Sequence, residues 1–341
     1  MRPHNVLACF VLLSALLLIW SYILRSVWTK ATKLRSFLIK LSVTLSTLLY
    51  LFLCLEALFY YSFAVPDTFG FTLAAQRWQE RYWRPINSQG YRDAEHYPEE
   101  FRDKTVLFVV GDSFVAGHGI ARSERRFPNI LQRNLGAQYV VVNIAQNGWD
   151  TNDEYQAILA YPYQPKQIIL SYYLNDILGA AHRLGYGAPI RVEPPANQAL
   201  RYVIAHSYFL NFVYWRLYRF HHQELGVKYW AYLKDAYANQ SIWQAHEAEL
   251  FQLVTYTQKQ DIELTVVIFP NLRDVKGSAV FTSQVADFFQ QHNVRVLNLE
   301  PLLEARDPTS MTVNPLDAHP NEALHKEIAD LLTREIQVEA R

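Results

Sequence analysis

The segment KTVLFVVGDSFVAGHGI, residues 104–120, decides the fold. Residues 106–110 are all apolar, which is typical of a strand covered on both faces, as in a parallel sheet. The run stops at Gly111, and the next two side chains are the carboxylate of Asp112 and the hydroxyl of Ser113. In an open α/β sheet, ligands bind at the edge formed by the carboxyl ends of the strands. Ser113 is therefore either a nucleophile at this edge or the cap of the next helix.

The rest of the chain alternates between strand and helix patterns. The candidate strands are 105–110, 138–143, 167–172, 263–269 and 294–299, and the candidate helices lie near 124–135, 151–160, 241–260, 281–291 and 320–337. This alternation predicts the α/β class, with a five-stranded parallel sheet and helices on both faces. A long insertion, 177–240, separates the third and fourth strands. Its segment HSYFLNFVYWRLYRFHH (206–222) could pack on the core, cover a site, or face lipid or a membrane-protein partner.

Two apolar stretches open the chain. Residues 5–24 carry no charge and are long enough to cross a bilayer as a helix, and residues 37–64 are interrupted only by Lys40 and Glu56. We predict two transmembrane helices within 1–65; a cleaved signal peptide is the alternative for the first stretch, and a buried hairpin for both. The connecting loop and its flanks contain the cations Arg25, Lys30, Lys33, Arg35 and Lys40. By the positive-inside rule this loop lies in the cytoplasm, so both chain ends lie on the far side of the membrane. Glu56 is predicted to lie at the outer interface.

Charge and cysteine content limit the function of the remainder. Residues 1–65 hold six of the 32 Lys and Arg and one of the 32 Asp and Glu, which leaves 26 cations against 31 acids. This mildly acidic part has no basic surplus for phosphates, so nucleic acid is not expected as a partner. Cys9 and Cys54 fall in the apolar stretches, which excludes disulfide and thiol chemistry beyond residue 65. Residues 66–103 form an aromatic, charged connector that either rests at the headgroups or packs on the domain.

A serine nucleophile needs a base and donors for the oxyanion. In LDAHPNEAL, His319 precedes Pro320, which suits a first helical turn, and Asp317 stands two residues before His319. Gly148 follows the second strand and Asn175 the third, so their amides can donate near the strand ends. Each signal has a plain structural alternative, a helix cap or a turn. Together they all fall at one predicted edge of the sheet.

These motifs resemble those of the SGNH/GDSL hydrolase superfamily, in a membrane-anchored bacterial form. The matching blocks, in order, are GDSF (111–114), Asn143 with Gly148, Leu174-Asn175-Asp176, and Asp317-Ala318-His319-Pro320. The resemblance implies a flavodoxin-like three-layer α/β/α sandwich over 104–341 and no metal or organic cofactor. It also implies Ser113 as nucleophile, His319 as base with Asp317 as its partner, and an oxyanion hole of Ser113, Gly148 and Asn175.

The sequence departs from the family pattern at three points. Phe114 replaces the Leu of GDSL, and Tyr173 stands where Gly is usual. Asp317 lies two residues before His319 rather than three, so a Ser-His dyad assisted by a carbonyl is an alternative to the triad. The lead-in NSQGYRD (87–93) resembles segments that precede the domain in membrane-linked members.

The expected activity is that of a serine esterase of the bacterial inner membrane with a periplasmic catalytic domain. The expected substrate is an acyl ester, O-acetyl above all, on a cell-envelope glycan or glycolipid, hydrolysed through an acyl-serine. Two alternatives are an acyltransferase that uses the same acyl-serine and a non-catalytic envelope binding module.

Overall fold

The computed structural model describes residues 3–27, 33–67, 70, 72–187 and 192–339. The helices are α1 Pro3–Val27, α2 Lys33–Ser62, α3 Leu73–Tyr82, α4 Ser113–Ala116, α5 Phe127–Leu135, α6 Thr151–Ala160, α7 Ile177–Arg183, α8 Gln198–His206, α9 Tyr208–His221, α10 Glu224–Ala238, α11 Gln240–Lys259, α12 Val275–Gln291, α13 Glu300–Leu303, α14 Pro308–Met311 and α15 Glu322–Glu339. The strands are β1 Thr105–Gly111, β2 Tyr139–Ala145, β3 Gln167–Tyr173, β4 Glu263–Phe269, β5 Arg295–Asn298, β6 Thr312–Asn314 and β7 Asp317–Pro320.

The predicted parallel sheet is confirmed. Strands β1 to β5 pair in parallel in the order β2-β1-β3-β4-β5. Alternate residues of β1 enter opposite layers: Phe108 packs with residues of α6, α7 and α11, whereas Val109 packs with α5 and α15. Both layers are apolar, which is why β1 reads as an unbroken apolar run.

Gly111 ends β1 where the backbone comes closest to its neighbours. It pairs with Ala145 of β2 and Ser171 of β3, so all three strands end at one edge. A Cβ at Gly111 would lie 2.5 Å from Val115 Cγ2 and 3.1 Å from Ser171 Cβ. Only glycine lets the chain turn from β1 into α4 here, and this turn delivers Ser113 to the edge of the sheet.

The segment around His319 differs from its prediction. Pro320 does not open a helix but ends β7, which pairs antiparallel with β6, and α15 begins only at Glu322. Asn321 caps this helix by accepting a hydrogen bond from the Leu324 N–H (3.0 Å). The hairpin strands are three and four residues long and rich in Asp, Asn and Pro, so they carry no strand pattern.

The contacts divide the chain differently from the expected domains 1–65, 66–103 and 104–341. The anchor unit contains Met1–Val65, Gly70–Trp78 and Val192–Gln223, and the catalytic unit contains Pro66–Phe69, Gln79–Arg191 and Glu224–Arg341. The insertion 177–240 is thereby split. Its two ends, α7 and α10, bury apolar side chains in the catalytic core, whereas α8 and α9 bury little and belong to the anchor unit.

Within the anchor unit, α2 is long and apolar enough to cross a membrane by length and composition. Most of its apolar side chains are exposed, which favours a membrane span over a core helix. The apolar stretch of α1 with described side chains, Val11–Ile23, is shorter. Of the cations assigned to the connecting loop, Lys30 lies outside the described residues.

Candidate active site

The structure brings the three proposed catalytic side chains together. Ser113 Oγ lies 2.8 Å from His319 Nε2, and Asp317 Oδ1 lies 2.5 Å from His319 Nδ1. A carboxylate oxygen only accepts, so Nδ1 carries the proton and Nε2 accepts from the serine hydroxyl. This is the hydrogen-bonded chain of a serine hydrolase: nucleophile, base and the acid that orients the base.

The two-residue spacing of Asp317 and His319 is explained by β7. Side chains two apart on a strand point to the same side, so Asp317 and His319 lie on the same face of β7. Asp317 Oδ1 also accepts from the backbone N–H of His319 at 3.1 Å, which fixes the carboxylate. In this structure the partner of the imidazole is a carboxylate and not a carbonyl.

Asp317 remains charged although it is completely buried. Burial alone would raise the pKa of this carboxyl, but the charge of His319 and its hydrogen bond more than offset it and hold the pKa below the usual value. The buried carboxylate lies beside the imidazole on which positive charge develops during general-base catalysis.

Gly148 and Asn175 are the two predicted oxyanion donors besides Ser113. They follow β2 and β3, the two strands that flank β1, and so belong to the same edge of the sheet. Gly148 is exposed with φ +78°, a conformation that favours glycine and leaves its N–H open to a ligand. Asn175 is half-buried. The groups that can donate to an oxyanion here are the backbone N–H of Gly148 and the side-chain Nδ2 of Asn175.

Arg92, in the lead-in NSQGYRD, holds the nucleophile loop. Its buried guanidinium donates to the carbonyls of Ala116 (3.1 Å), Gly117 (2.6 Å) and Ile120 (2.7 Å). Burial, followed by the repulsion of Arg126, lowers the pKa of Arg92 to about 9, so it stays charged at neutral pH. The resemblance pointed to this segment, but its mechanical role depends on contacts that sequence does not show.

The next residue of the lead-in ties the loop to β2. Asp93 Oδ2 accepts from the backbone N–H of Asn143 at 2.8 Å, and Asn143 Nδ2 donates to Val115 O at 3.3 Å. The conspicuous Asn of the second motif is therefore a support for α4. It is not a group aimed at substrate.

A second histidine, His118, lies beside the triad. Its ring centroid is 4.5 Å from that of His319, and its Nε2 lies 3.5 Å from Asp317 Oδ2 and 3.2 Å from Asp67 O. Asn147 Nδ2 lies 3.1 Å from Nδ1, which fits a proton on Nε2 that faces both oxygens. Burial, then the charge of His319, lowers the pKa of His118 to about 4. His118 is therefore neutral at neutral pH and supports Asp317.

The same three side chains have the spacing of a metal site. His118, Asp317 and His319 each offer a ligand atom within 4.8 Å of the others. Two of those residues already bond to each other, and His319 also bonds to Ser113. A proton-transfer chain accounts for these contacts without a metal ion.

Aromatic rings surround the nucleophile. Phe114 stacks on Tyr173 with centroids 4.2 Å apart and lies 5.4 Å from His319 and 5.0 Å from Phe269. The two departures from the family motifs, Phe114 and Tyr173, are thus in contact with each other. They fill the space beside the triad with rigid apolar surface.

Three fully buried acids lie behind the site: Asp112, Glu154 and Asp176. Burial raises the pKa of each, and their mutual repulsion raises those of Glu154 and Asp176 further. Asp176 Oδ2 accepts from the Tyr173 N–H at 3.2 Å and so shapes the turn that carries Asn175. Neither carboxyl oxygen of Glu154 forms a hydrogen bond within the described part of the chain, which fits a neutral acid.

No family model and no curated protein matches the sequence. Solved structures do. The structures that match include several esterases and one protein described as lipolytic and of the G-D-S-L family. A protein described as lipolytic and of the G-D-S-L family from Desulfitobacterium hafniense matches at 14% identity and TM-score 0.42 over 68% of this chain and 99% of its own. A psychrotrophic esterase from Pseudoalteromonas matches at 15% identity and TM-score 0.42, over 70% of this chain and 99% of its own.

An acetylxylan esterase from Geobacillus stearothermophilus matches at 13% identity and TM-score 0.42 over 68% of this chain and 94% of its own. These are proteins to which the chain is similar. The case for its chemistry comes from its own side chains.

Proposed function

We propose that the protein is a serine hydrolase that cleaves acyl esters through an acyl-serine intermediate. The observation that carries the proposal is the continuous hydrogen-bonded chain from Ser113 through His319 to Asp317. His319 Nε2 takes the hydroxyl proton as Ser113 attacks the ester carbonyl, and then gives it to the departing alcohol. A water molecule attacks the acyl-serine by the same route, which releases the acid and restores the hydroxyl.

The oxyanion formed in both steps is held by amide donors at the sheet edge. We assign the backbone N–H groups of Ser113 and Gly148 and the side-chain amide of Asn175 to this role. The removal of one such donor typically costs about 10²–10³ in turnover. Because they belong to three neighbouring strand ends, the hole is set by the sheet before substrate binds.

The substrate we propose is a small acyl ester, an O-acetyl group above all, on a cell-envelope glycan or glycolipid. The stacked rings of Phe114 and Tyr173 place apolar side chains close to His319, which suits an acyl group. The exposed apolar length of α2 supports a membrane anchor. We place the catalytic unit in the periplasm of a bacterial inner membrane because the loop between α1 and α2 is basic.

Labelling with a serine-directed fluorophosphonate tests the chemistry. The full chain in detergent should be labelled once, and Ser113→Ala should abolish labelling. The matched control is Ser241→Ala, an exposed serine at the start of α11. Hydrolysis of p-nitrophenyl acetate should follow the same pattern. Labelling that persists in Ser113→Ala would disprove the nucleophile, and an unlabelled wild type would point to the binding module.

A second measurement separates the esterase from the acyltransferase. Acetate release from the p-nitrophenyl ester is followed with and without a soluble glycan acceptor. For the esterase the acyl group goes to water in both cases. Acetylated glycan as the main product would assign a transferase.

A reporter fused to the C-terminus tests the orientation of the chain in the membrane. Activity of a cytoplasmic reporter at this position would overturn the proposed periplasmic location.

A further inference from the structure

Glu56 is a carboxylate near the C-terminal end of the apolar helix α2, and the anchor unit provides its partners. Its oxygens accept from Ser207 Oγ (2.8 Å), the Tyr208 N–H (2.5 Å) and the Phe209 N–H (3.1 Å). These donors form the N-terminus of α9, whose first N–H groups have no partner within their own helix. Glu56 is only 6% exposed. Glu56 therefore caps the N-terminus of α9, and the three hydrogen bonds that it accepts stabilise its negative charge.

Aromatic packing extends this contact. The Phe59 ring lies 5.4 Å from Phe209 and 4.9 Å from Phe212, and Phe63 lies 5.5 Å from Phe212. Closer to the N-terminus of α2, the ring of Phe52 lies 6.1 Å from that of Phe209. The first turns of α9 are thus held against the C-terminal turns of α2.

The position of Glu56 along α2 gives its depth in the membrane. About 20 helical residues cross the hydrocarbon, and a count from Lys40 ends at Tyr60. Glu56 then lies about 6 Å inside this boundary, at a rise of about 1.5 Å per residue. Interfacial helices insert about 5–10 Å below the headgroups, so the start of α9 lies at their depth.

The composition of α8 and α9 fits the same layer. Their exposed apolar side chains are Leu200, Tyr202, Val203, Leu217 and Phe220. Residues 194–223 contain Arg201, Arg216 and Arg219 and no Asp or Glu. Apolar and aromatic side chains with cations and no acids are typical of helices that lie on anionic membranes.

We propose that α8 and α9 form an interfacial helix pair that lies in the outer headgroup layer and binds anionic phospholipid. The proposal rests on the membrane span of α2. Continuity with that span decides the occupant, since Glu56 and Phe59 fix α9 at headgroup depth. The exposed side chains of the pair then meet lipid rather than water. A membrane-protein partner and a second copy of the chain are the competing occupants.

The test uses the full chain, with Cys9 and Cys54 replaced by Ser, in vesicles of phosphatidylethanolamine and phosphatidylglycerol. Phe220→Cys is labelled with an environment-sensitive nitrobenzoxadiazole dye. Val280→Cys is the matched control, because Val280 on α12 is 71% exposed and Phe220 68%. We expect a blue-shifted emission and strong quenching by brominated lipid at position 220, and neither effect at position 280.

Each outcome decides between the occupants. A dye at 220 that behaves like the dye at 280 overturns the proposal. A blue shift without quenching by brominated lipid also overturns it and indicates contact between protein copies. Quenching that is unchanged when phosphatidylglycerol is omitted removes the anionic preference. A Tyr50→Cys label on α2 reports the span: if it too is not quenched, the span itself fails, independently of α9.

Discussion

Asp317→Asn tests whether the acid of the triad contributes to catalysis. The substitution keeps the size of the side chain and removes its charge next to His319. With Oδ1 and Nδ1 2.5 Å apart, the centres of charge of the carboxylate and the imidazolium are about 4 Å apart. At an effective dielectric constant of about 20, their attraction is about 4 kcal/mol. Because about 1.4 kcal/mol is a factor of ten in rate, we expect kcat to fall about 10³-fold.

The assay is the steady-state hydrolysis of p-nitrophenyl acetate between pH 6 and 9. We expect KM to change little, since the carboxylate does not touch the ester. Asp307→Asn is the control, because Asp307 is exposed and only caps α14. An unchanged circular dichroism spectrum establishes that the variant is folded. A loss of less than ten-fold would refute the triad and support a Ser-His dyad.

Three other groups give further predictions: Asn175 at the sheet edge, and two fully buried titratable side chains, His325 of α15 and Glu154 of α6. Asn175→Ala should lower kcat about 10²–10³-fold with an unchanged circular dichroism spectrum, and a loss below five-fold would remove Asn175 from the oxyanion hole. Burial lowers the pKa of His325 to about 3, so folding favours its neutral form and stability is lost as pH falls below about 6.5. His325→Asn, which keeps an acceptor for the Phe127 N–H, should remove about 2 kcal/mol of that loss at pH 5 in urea unfolding. Burial raises the pKa of Glu154, so wild-type stability falls as pH rises from about 5 to the pKa of the folded state. Glu154→Gln cannot lose a proton, so its free energy of unfolding should rise relative to wild type by about 1.4 kcal/mol for each pH unit in this range. Stability curves of the two proteins that run parallel would contradict this.

The sheet could be predicted because its information is local. A parallel strand is buried on both faces, so β1 to β5 are runs of apolar residues that stand out in the sequence. The connectivity rules of α/β folds then place the ends of the first three strands at one edge. For this reason Ser113, Gly148 and Asn175 could be assigned to that edge from the sequence.

The candidate acid and base were also named from the sequence, but the strand that carries them was not predicted. The β6–β7 hairpin has too few residues to show an alternating pattern, and its Pro and Asn imitate a helix start. The strand geometry is what allows Asp317 to reach His319 across a two-residue spacing.

The sequence by itself determined the α/β class, the apolar N-terminal helices and the candidate nucleophile, base and acid. Only the tertiary structure decided what Arg92, His118 and Glu56 do. Arg92 reaches the nucleophile loop 24 to 28 residues further along the chain, His118 reaches Asp317 after 199 residues, and Glu56 reaches the start of α9 after 151 to 153 residues. Hydrogen bonds and ion pairs of this kind leave no period in a sequence, since they depend on which surfaces the packed core brings together.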